Sequence, residues 1–108
     1  MESIIFSIQN GVGKITLNRP DVLNSFNMPM AKEMQAALDE CTTNKTVRAI
    51  LLTGAGRAFC AGQDLASAIA PGADIKVIVQ QQYNPIIHKI RNIEKPVICA
   101  VNGVAAGA

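Results

Sequence analysis

Val47-Arg48-Ala49-Ile50-Leu51-Leu52-Thr53, closed by Gly54-Ala55-Gly56-Arg57, reads as a buried strand running into a glycine turn. Lys95-Pro96 and then Val97-Ile98-Cys99-Ala100-Val101, closed by Asn102-Gly103, repeat that pattern. Short apolar runs of this kind, each reached after a helical stretch, are the mark of parallel strands in an α/β domain. Between them, Asp74 to Ile93 carries Ile75, Val79, Tyr83, Ile86, Ile87, Ile90 and Ile93 at helical spacing. Asn84-Pro85 interrupts that run, either as a kink or as the cap and first turn of a second helix.

Upstream, Ser3–Gln9 and Val12–Asn18 are β-branched runs joined by Asn10-Gly11, a hairpin signal because both turn residues tolerate positive φ. Asn27 is placed to cap a helix that starts at Met28 with Pro29 in its first turn and ends near Asn44. Met30, Met34, Leu38 and Cys41 form its apolar face. The expected order is therefore β-β-α-β-(α)-α-β.

At 108 residues the chain holds one domain at most, and its last dozen residues carry no charge and run apolar to Gly107-Ala108. That pattern leads us to expect an N-terminal piece of a longer protein. With 49% apolar residues and a net charge of +2, it is too apolar for a disordered tail. It is also too weakly basic, and at 4% aromatic too poor in stacking groups, for nucleic-acid recognition. Cys41, Cys60 and Cys99 are far apart, contain no C-x-x-C pair, and with the single His88 make no four-ligand zinc site without carboxylates. No metal, no nucleic-acid partner and no membrane span is expected, and reduced thiols fit the cytoplasm.

Most candidate chemistry dissolves on inspection. Gly54-x-Gly56 lacks the third glycine and the helix start of a dinucleotide fingerprint. His88 sits among Lys89 and Arg91 as a helix-surface residue, and Ser25 and Ser67 have no base near them in sequence. Cys60 and Cys99 lie among small apolar residues and read as packing groups, and Lys95 as a loop flank. Two small-residue turns remain, Cys60-Ala61-Gly62-Gln63-Asp64 and Asn102 to Ala108, each read as lying between a buried strand and a helix. Small residues let backbone approach a ligand closely, and two such turns face to face would present paired N–H donors to an oxyanion. The same composition also serves tight helix packing.

Asn18-Arg19-Pro20 with Leu23-Asn24-Ser25, then Ala58-Phe59-Cys60-Ala61-Gly62-x-Asp64-Leu65, then Lys95-Pro96-Val97 through Gly107 resemble, in order and spacing, the crotonase (enoyl-CoA hydratase/isomerase) family. The resemblance covers the whole chain. It implies a crotonase-like α/β fold, a spiral of ββα units, with residues 1–108 forming the N-terminal part of a single domain. It implies an acyl-CoA thioester substrate, no separate cofactor, and a homotrimer or hexamer when full length.

By the same resemblance, the backbone N–H groups of Gln63 and Ala108 would form the oxyanion hole that stabilises a thioester enolate. Val22, Leu23, Ala61, Gly62, Asp64 and Leu65 would line the groove for the CoA moiety, with Asp64 mainly holding its turn and helix start. Gly62-Gln63-Asp64-Leu65, Tyr83-Asn84-Pro85 and Val104 to Ala108 most resemble the branch that isomerises ring epoxides of aromatic acetyl-CoA thioesters in phenylacetate breakdown. Enoyl-CoA hydratase or double-bond isomerase is the nearest alternative, and a non-catalytic CoA-binding or assembly module the alternative of another class. The acid/base residues of the family would follow Ala108, so the 108-residue chain alone is expected to be inactive.

Overall fold

In the computed structural model, which describes residues 2–107, the hairpin is β1 (Ile4–Gln9) and β2 (Val12–Leu17), antiparallel, with Gln9 opposite Val12. Asn10 and Gly11 turn the chain at φ 53° and 80°, the paired positive values that suit a two-residue turn between right-twisted strands. Ile15 and Leu17 point inward from β2 as their period of two requires.

Helix α1 (Met28–Thr43) is capped by the Asn27 side chain, which accepts from the Met30 N–H at 3.1 Å. Met30, Ala31, Met34, Ala37, Leu38 and Cys41 are its buried stripe. The helix carries the chain over to β3 (Ala49–Gly54), which pairs parallel with β2; β5 (Val97–Ala100) pairs parallel with β3, giving the order β1-β2-β3-β5.

The expected element order holds, and two strands join it where the sequence reads as turns. Ala58–Cys60 is β4 and Val104–Ala105 is β6, and they pair parallel as a second, two-stranded sheet. Strands this short carry no periodicity to read; only the pairing across 44 residues or more makes them strands. With them, the chain resolves into β1-β2-α1, then β3-β4 followed by helices, then β5-β6: successive ββα units.

The helical stretch after β4 consists of α2 (Leu65–Ala68), α3 (Ile75–Ile78), a π-turn (Val79–Tyr83) and α4 (Asn84–Asn92). The Asn84-Pro85 interruption is thus a widened turn inside continuous helix. Pro85 has no N–H to give the carbonyl of Gln81, which instead accepts from Gln35 Nε2 at 3.0 Å. The extra residue rotates α3 relative to α4, so Ile78 and Gln82 face inward while Ile75 and Val79, expected on the apolar face, stay exposed. Ile87 is exposed as well.

A second correction concerns β5. Expected to be buried through Val101, it ends at Ala100, with Val97 half-buried and Ile98, Cys99 and Ala100 exposed. It is the edge of its sheet, and no described element covers its outer face. Among the described residues Cys99 is exposed, against the expectation of a packing group, whereas Cys41 and Cys60 are buried. Lys95 is more than a loop flank: its ammonium donates to the carbonyls of Cys41 and Asn44, closing the C-terminal end of α1 with a positive charge.

Candidate functional site

The first small-residue turn is held from three sides. Ala61 N–H donates to the carbonyl of Leu23 at 3.0 Å, Phe26 N–H to that of Gly62 at 2.8 Å, and Asp64 N–H to that of Phe26 at 2.8 Å. The last two bonds make Phe26 and Gln63 a parallel bridge. In such a bridge the N–H of Gln63 points away from Phe26. Among the described residues nothing accepts from it.

Asp64 then ends the turn by using both carboxylate oxygens. Oδ1 accepts from Ser67 N–H at 3.1 Å, capping α2, and Oδ2 pairs with Arg19 Nη2 at 2.9 Å. The Arg19 hydrogen bond, followed by the bond from Ser67, holds the Asp64 carboxyl below its ordinary value. Arg19 Nη1 also donates to the carbonyl of Ser25. One guanidinium therefore ties the 19–25 loop to the 61–65 turn.

That loop is built around Asn24, a fully buried residue at φ 57°. Its Oδ1 accepts from Arg19 N–H at 2.7 Å, and its Nδ2 donates to the carbonyls of Ala55 and Ala58 at 3.0 and 2.9 Å. Asn102 makes the matching clamp from the other side, donating to the carbonyls of Gly56 and Ala58 and accepting from Gly54 N–H at 3.1 Å. Neither role shows in the sequence as anything beyond a turn-former, because the carbonyls they clamp lie 31 or more residues from Asn24 and 44 or more from Asn102.

The second turn meets the first. Ala106 N–H donates to the carbonyl of Cys60 at 3.0 Å, and Gly107 adopts φ 63° against the turn at Gly62. A Cβ built on Gly107 would stand 3.2 Å from the Gly62 Cα, so the approach depends on glycine. The described residues end within this turn, and Ala108, the residue expected to supply the second N–H, lies outside them.

Beside the two turns opens an apolar cleft of about 310 Å³, lined by Leu17, Phe26, Met34, Leu52, Phe59, Cys60, three isoleucines of α4 and Ala105 to Gly107. Burial raises the Cys60 thiol above its ordinary value, so it stays protonated there. Tyr83 packs its ring against Phe26, centroids 6.2 Å apart, and its hydroxyl meets Oε1 of Gln63. Burial first, and the neighbouring Cys60 second, push the Tyr83 phenol up to about 12.

Of the residues expected to line a groove, Leu23, Ala61, Gly62 and Asp64 come together through these bonds, and Val22 lies exposed in the adjoining 3₁₀ turn Pro20–Val22. Leu65 opens α2 with its side chain exposed. His88 is exposed on α4. No helix among the described residues is long and apolar enough to cross a membrane.

Parallel-bridged ββα units with two glycine turns meeting beside an apolar cleft define a crotonase-like α/β protein. The chain belongs to the enoyl-CoA hydratase/isomerase family, whose model matches residues 7–108. It is 47% identical to the 1,2-epoxyphenylacetyl-CoA isomerase of Escherichia coli (strain K12), over 100% of this chain and 43% of that protein. It is 43% identical to a probable enoyl-CoA hydratase of Rhodobacter capsulatus, over 98% of this chain and 40% of that protein. A crystal structure of an enoyl-CoA hydratase from Mycobacterium avium subsp. paratuberculosis K-10 superposes with a TM-score of 0.87 at 29% identity, covering 99% of this chain and 41% of the other. The chain thus spans less than half the length of the relatives it matches.

Proposed function

We propose that the full-length protein carrying this chain isomerises an acyl-CoA thioester through an enolate, and that its substrate is a ring-epoxidised aromatic acetyl-CoA. The observation that carries the reading is the meeting of the Gly62 and Gly107 turns beside an apolar cleft, with the Gln63 N–H left without a partner among the described residues. Moving a proton beside a thioester builds negative charge on its carbonyl oxygen. Rigid amide donors aimed at that oxygen lower the barrier as the charge forms, each worth about 2.7–4 kcal/mol in comparable sites.

In this reading the donors are the N–H groups of Gln63 and Ala108, and the enolate step needs no separate cofactor. The apolar cleft takes the acyl group, and the 22–23 and 61–65 segments flank the CoA. The similarity to the Escherichia coli isomerase supports the ring-epoxide substrate. Enoyl-CoA hydration is the second reading, supported by the Rhodobacter capsulatus relative. The outward faces of Ile98, Val101 and Val104 support the expectation that the 108-residue chain alone does not turn over.

The test is to assay the full-length gene product with a ring-epoxide of phenylacetyl-CoA and with crotonyl-CoA. Isomerisation of the epoxide with little hydration of crotonyl-CoA is expected. Efficient hydration with no epoxide turnover would transfer the assignment to the hydratases, and turnover of neither would remove it.

A further inference from the structure

Arg19 lies outside both turns, yet its guanidinium begins a line of hydrogen bonds that ends at the Gln63 N–H. Nη1 donates to the carbonyl of Ser25. That carbonyl shares one planar peptide group with the Phe26 N–H, which donates to the carbonyl of Gly62 at 2.8 Å. The Gly62 carbonyl in turn shares a peptide group with the Gln63 N–H. None of the described peptide bonds is cis, so in each group the N–H points opposite to the C=O. Guanidinium, Ser25–Phe26 peptide and Gly62–Gln63 peptide therefore run head to tail.

Each link fixes the next. Leu23 and Asn24 sit at left-handed φ, 55° and 57°, and turn the chain sharply just before Ser25. Among the described residues the Ser25 carbonyl accepts only from Arg19, so the guanidinium sets the plane of the Ser25–Phe26 peptide. The Phe26 N–H then sets the plane of the Gly62–Gln63 peptide, where Gly62, at φ 113°, has no side chain to hold that plane by packing. The Asp64 N–H returns to the Phe26 carbonyl at 2.8 Å, so both peptide groups flanking Gln63 are tied to Phe26.

Arg19 is itself held. Its Nη2 pairs with Asp64 at 2.9 Å, and the two side chains are only 19% and 13% exposed. The carboxylate offsets the positive charge through space, so what reaches Gln63 is direction and alignment. Hydrogen-bonded groups in line also polarise one another, which strengthens the last N–H as a donor.

We propose that Arg19 is a positioning residue for the reaction, aiming the Gln63 N–H through the Ser25–Phe26 and Gly62–Gln63 peptide groups. The inference rests on the reading of that N–H as an oxyanion donor and deepens it. In this role Arg19 touches no substrate. The Asp64 arm anchors the guanidinium, and the Ser25 arm transmits its position.

The full-length protein is compared with two variants. Arg19→Met removes both arms. Replacing Phe26 by its α-hydroxy acid, phenyllactic acid, through nonsense suppression keeps the phenyl side chain and the Arg19–Asp64 pair, but puts an ester oxygen where the Phe26 N–H was. The readout is the stretching frequency of the thioester carbonyl in bound phenylacetyl-CoA, isolated by isotope-edited infrared difference spectroscopy. An oxyanion donor lowers that frequency, whereas a loss of stability or affinity alone leaves the bound carbonyl as it was. We expect the wild type to lower it and both variants to lower it less. We expect kcat for the ring-epoxide thioester to fall on the order of tenfold in each, short of the roughly 10²–10³ for a donor lost outright.

A wild-type shift that survives the ester substitution, or one that survives Arg19→Met, overturns the relay and leaves the oxyanion reading standing. No shift in the wild type overturns the oxyanion reading and the relay with it. Circular dichroism checks the fold of each variant, and the ester alone decides the matter where Arg19→Met does not fold.

Discussion

Gly107→Ala is the substitution that most directly probes the meeting of the two turns. The added methyl would stand 3.2 Å from the Gly62 Cα, inside the usual 3.5–4.0 Å of carbon–carbon contact, so the turns must separate by several tenths of an ångström. Gly62 cannot retreat freely, because its carbonyl is bonded to Phe26 N–H at 2.8 Å and Asp64 beyond it is pinned to Phe26 and Arg19. Holding alanine at φ 63° costs roughly 1–2 kcal/mol more. Gly72→Ala is the control: it has φ 82° but nothing within 4 Å of its added methyl, so it carries the backbone cost without the contact. Loss of one oxyanion donor costs about 10²–10³ in kcat, and a partial displacement should cost at least about tenfold. Steady-state kcat and KM of the full-length protein, with thermal midpoints for both variants, give the comparison. We expect kcat to fall by that amount in Gly107→Ala with KM little changed, and Gly72→Ala to lose stability only. Wild-type kcat in Gly107→Ala would refute the idea that this approach organises the reacting site.

Three further outcomes test the supporting structure. Asn24→Ala leaves the Arg19 N–H and the Ala55 carbonyl short of a partner, the Ala58 carbonyl keeping its bond from Asn102, and should lower unfolding free energy by about 2–4 kcal/mol in urea titration, with Asn24→Asp recovering only the Arg19 bond. Because pairing with Arg19 depresses the Asp64 carboxyl in the folded state, its stabilisation is complete above its ordinary value of about 4 and is lost as pH falls through the lower folded one. Asp64→Asn should therefore flatten the acid side of the urea-midpoint profile. Lys95→Met removes the charge from the C-terminal end of α1 and should cost about 0.3–1 kcal/mol, less at high salt.

The hairpin, α1 and the strands β3 and β5 were legible in the sequence because each signal is local: Asn10-Gly11, the Asn27 cap, the stripe from Met30 to Cys41, the apolar runs after each helix. The π-turn was half legible. Asn84-Pro85 announced an interruption, but the shift that turns Ile78 and Gln82 inward depends on how the widened turn seats against α1. The turn around Gly62 showed as a run of small residues after an apolar strand, and the motif resemblance gave it an expected role. Arg19, which pins it through Asp64, and Asn24 and Asn102, which clamp the neighbouring 54–58 segment, read only as turn chemistry, and the Gln63–Tyr83 contact spans 20 residues with no periodicity to reveal it.

What the sequence by itself determined is therefore the hairpin, the main helices, the strands β3 and β5 and their order, since helix caps, hairpin turns and apolar runs are decided within a few residues, whereas β4 and β6 exist only through their pairing. What only the tertiary structure decided is which backbone groups lose their partners. Among the described residues, the idle N–H of Gln63, its unmatched Nε2 and the glycine-only approach at Gly107 each depend on segments that meet from distant parts of the chain. A hydrogen bond withheld from the fold is visible only once every neighbour that would have accepted it is in place.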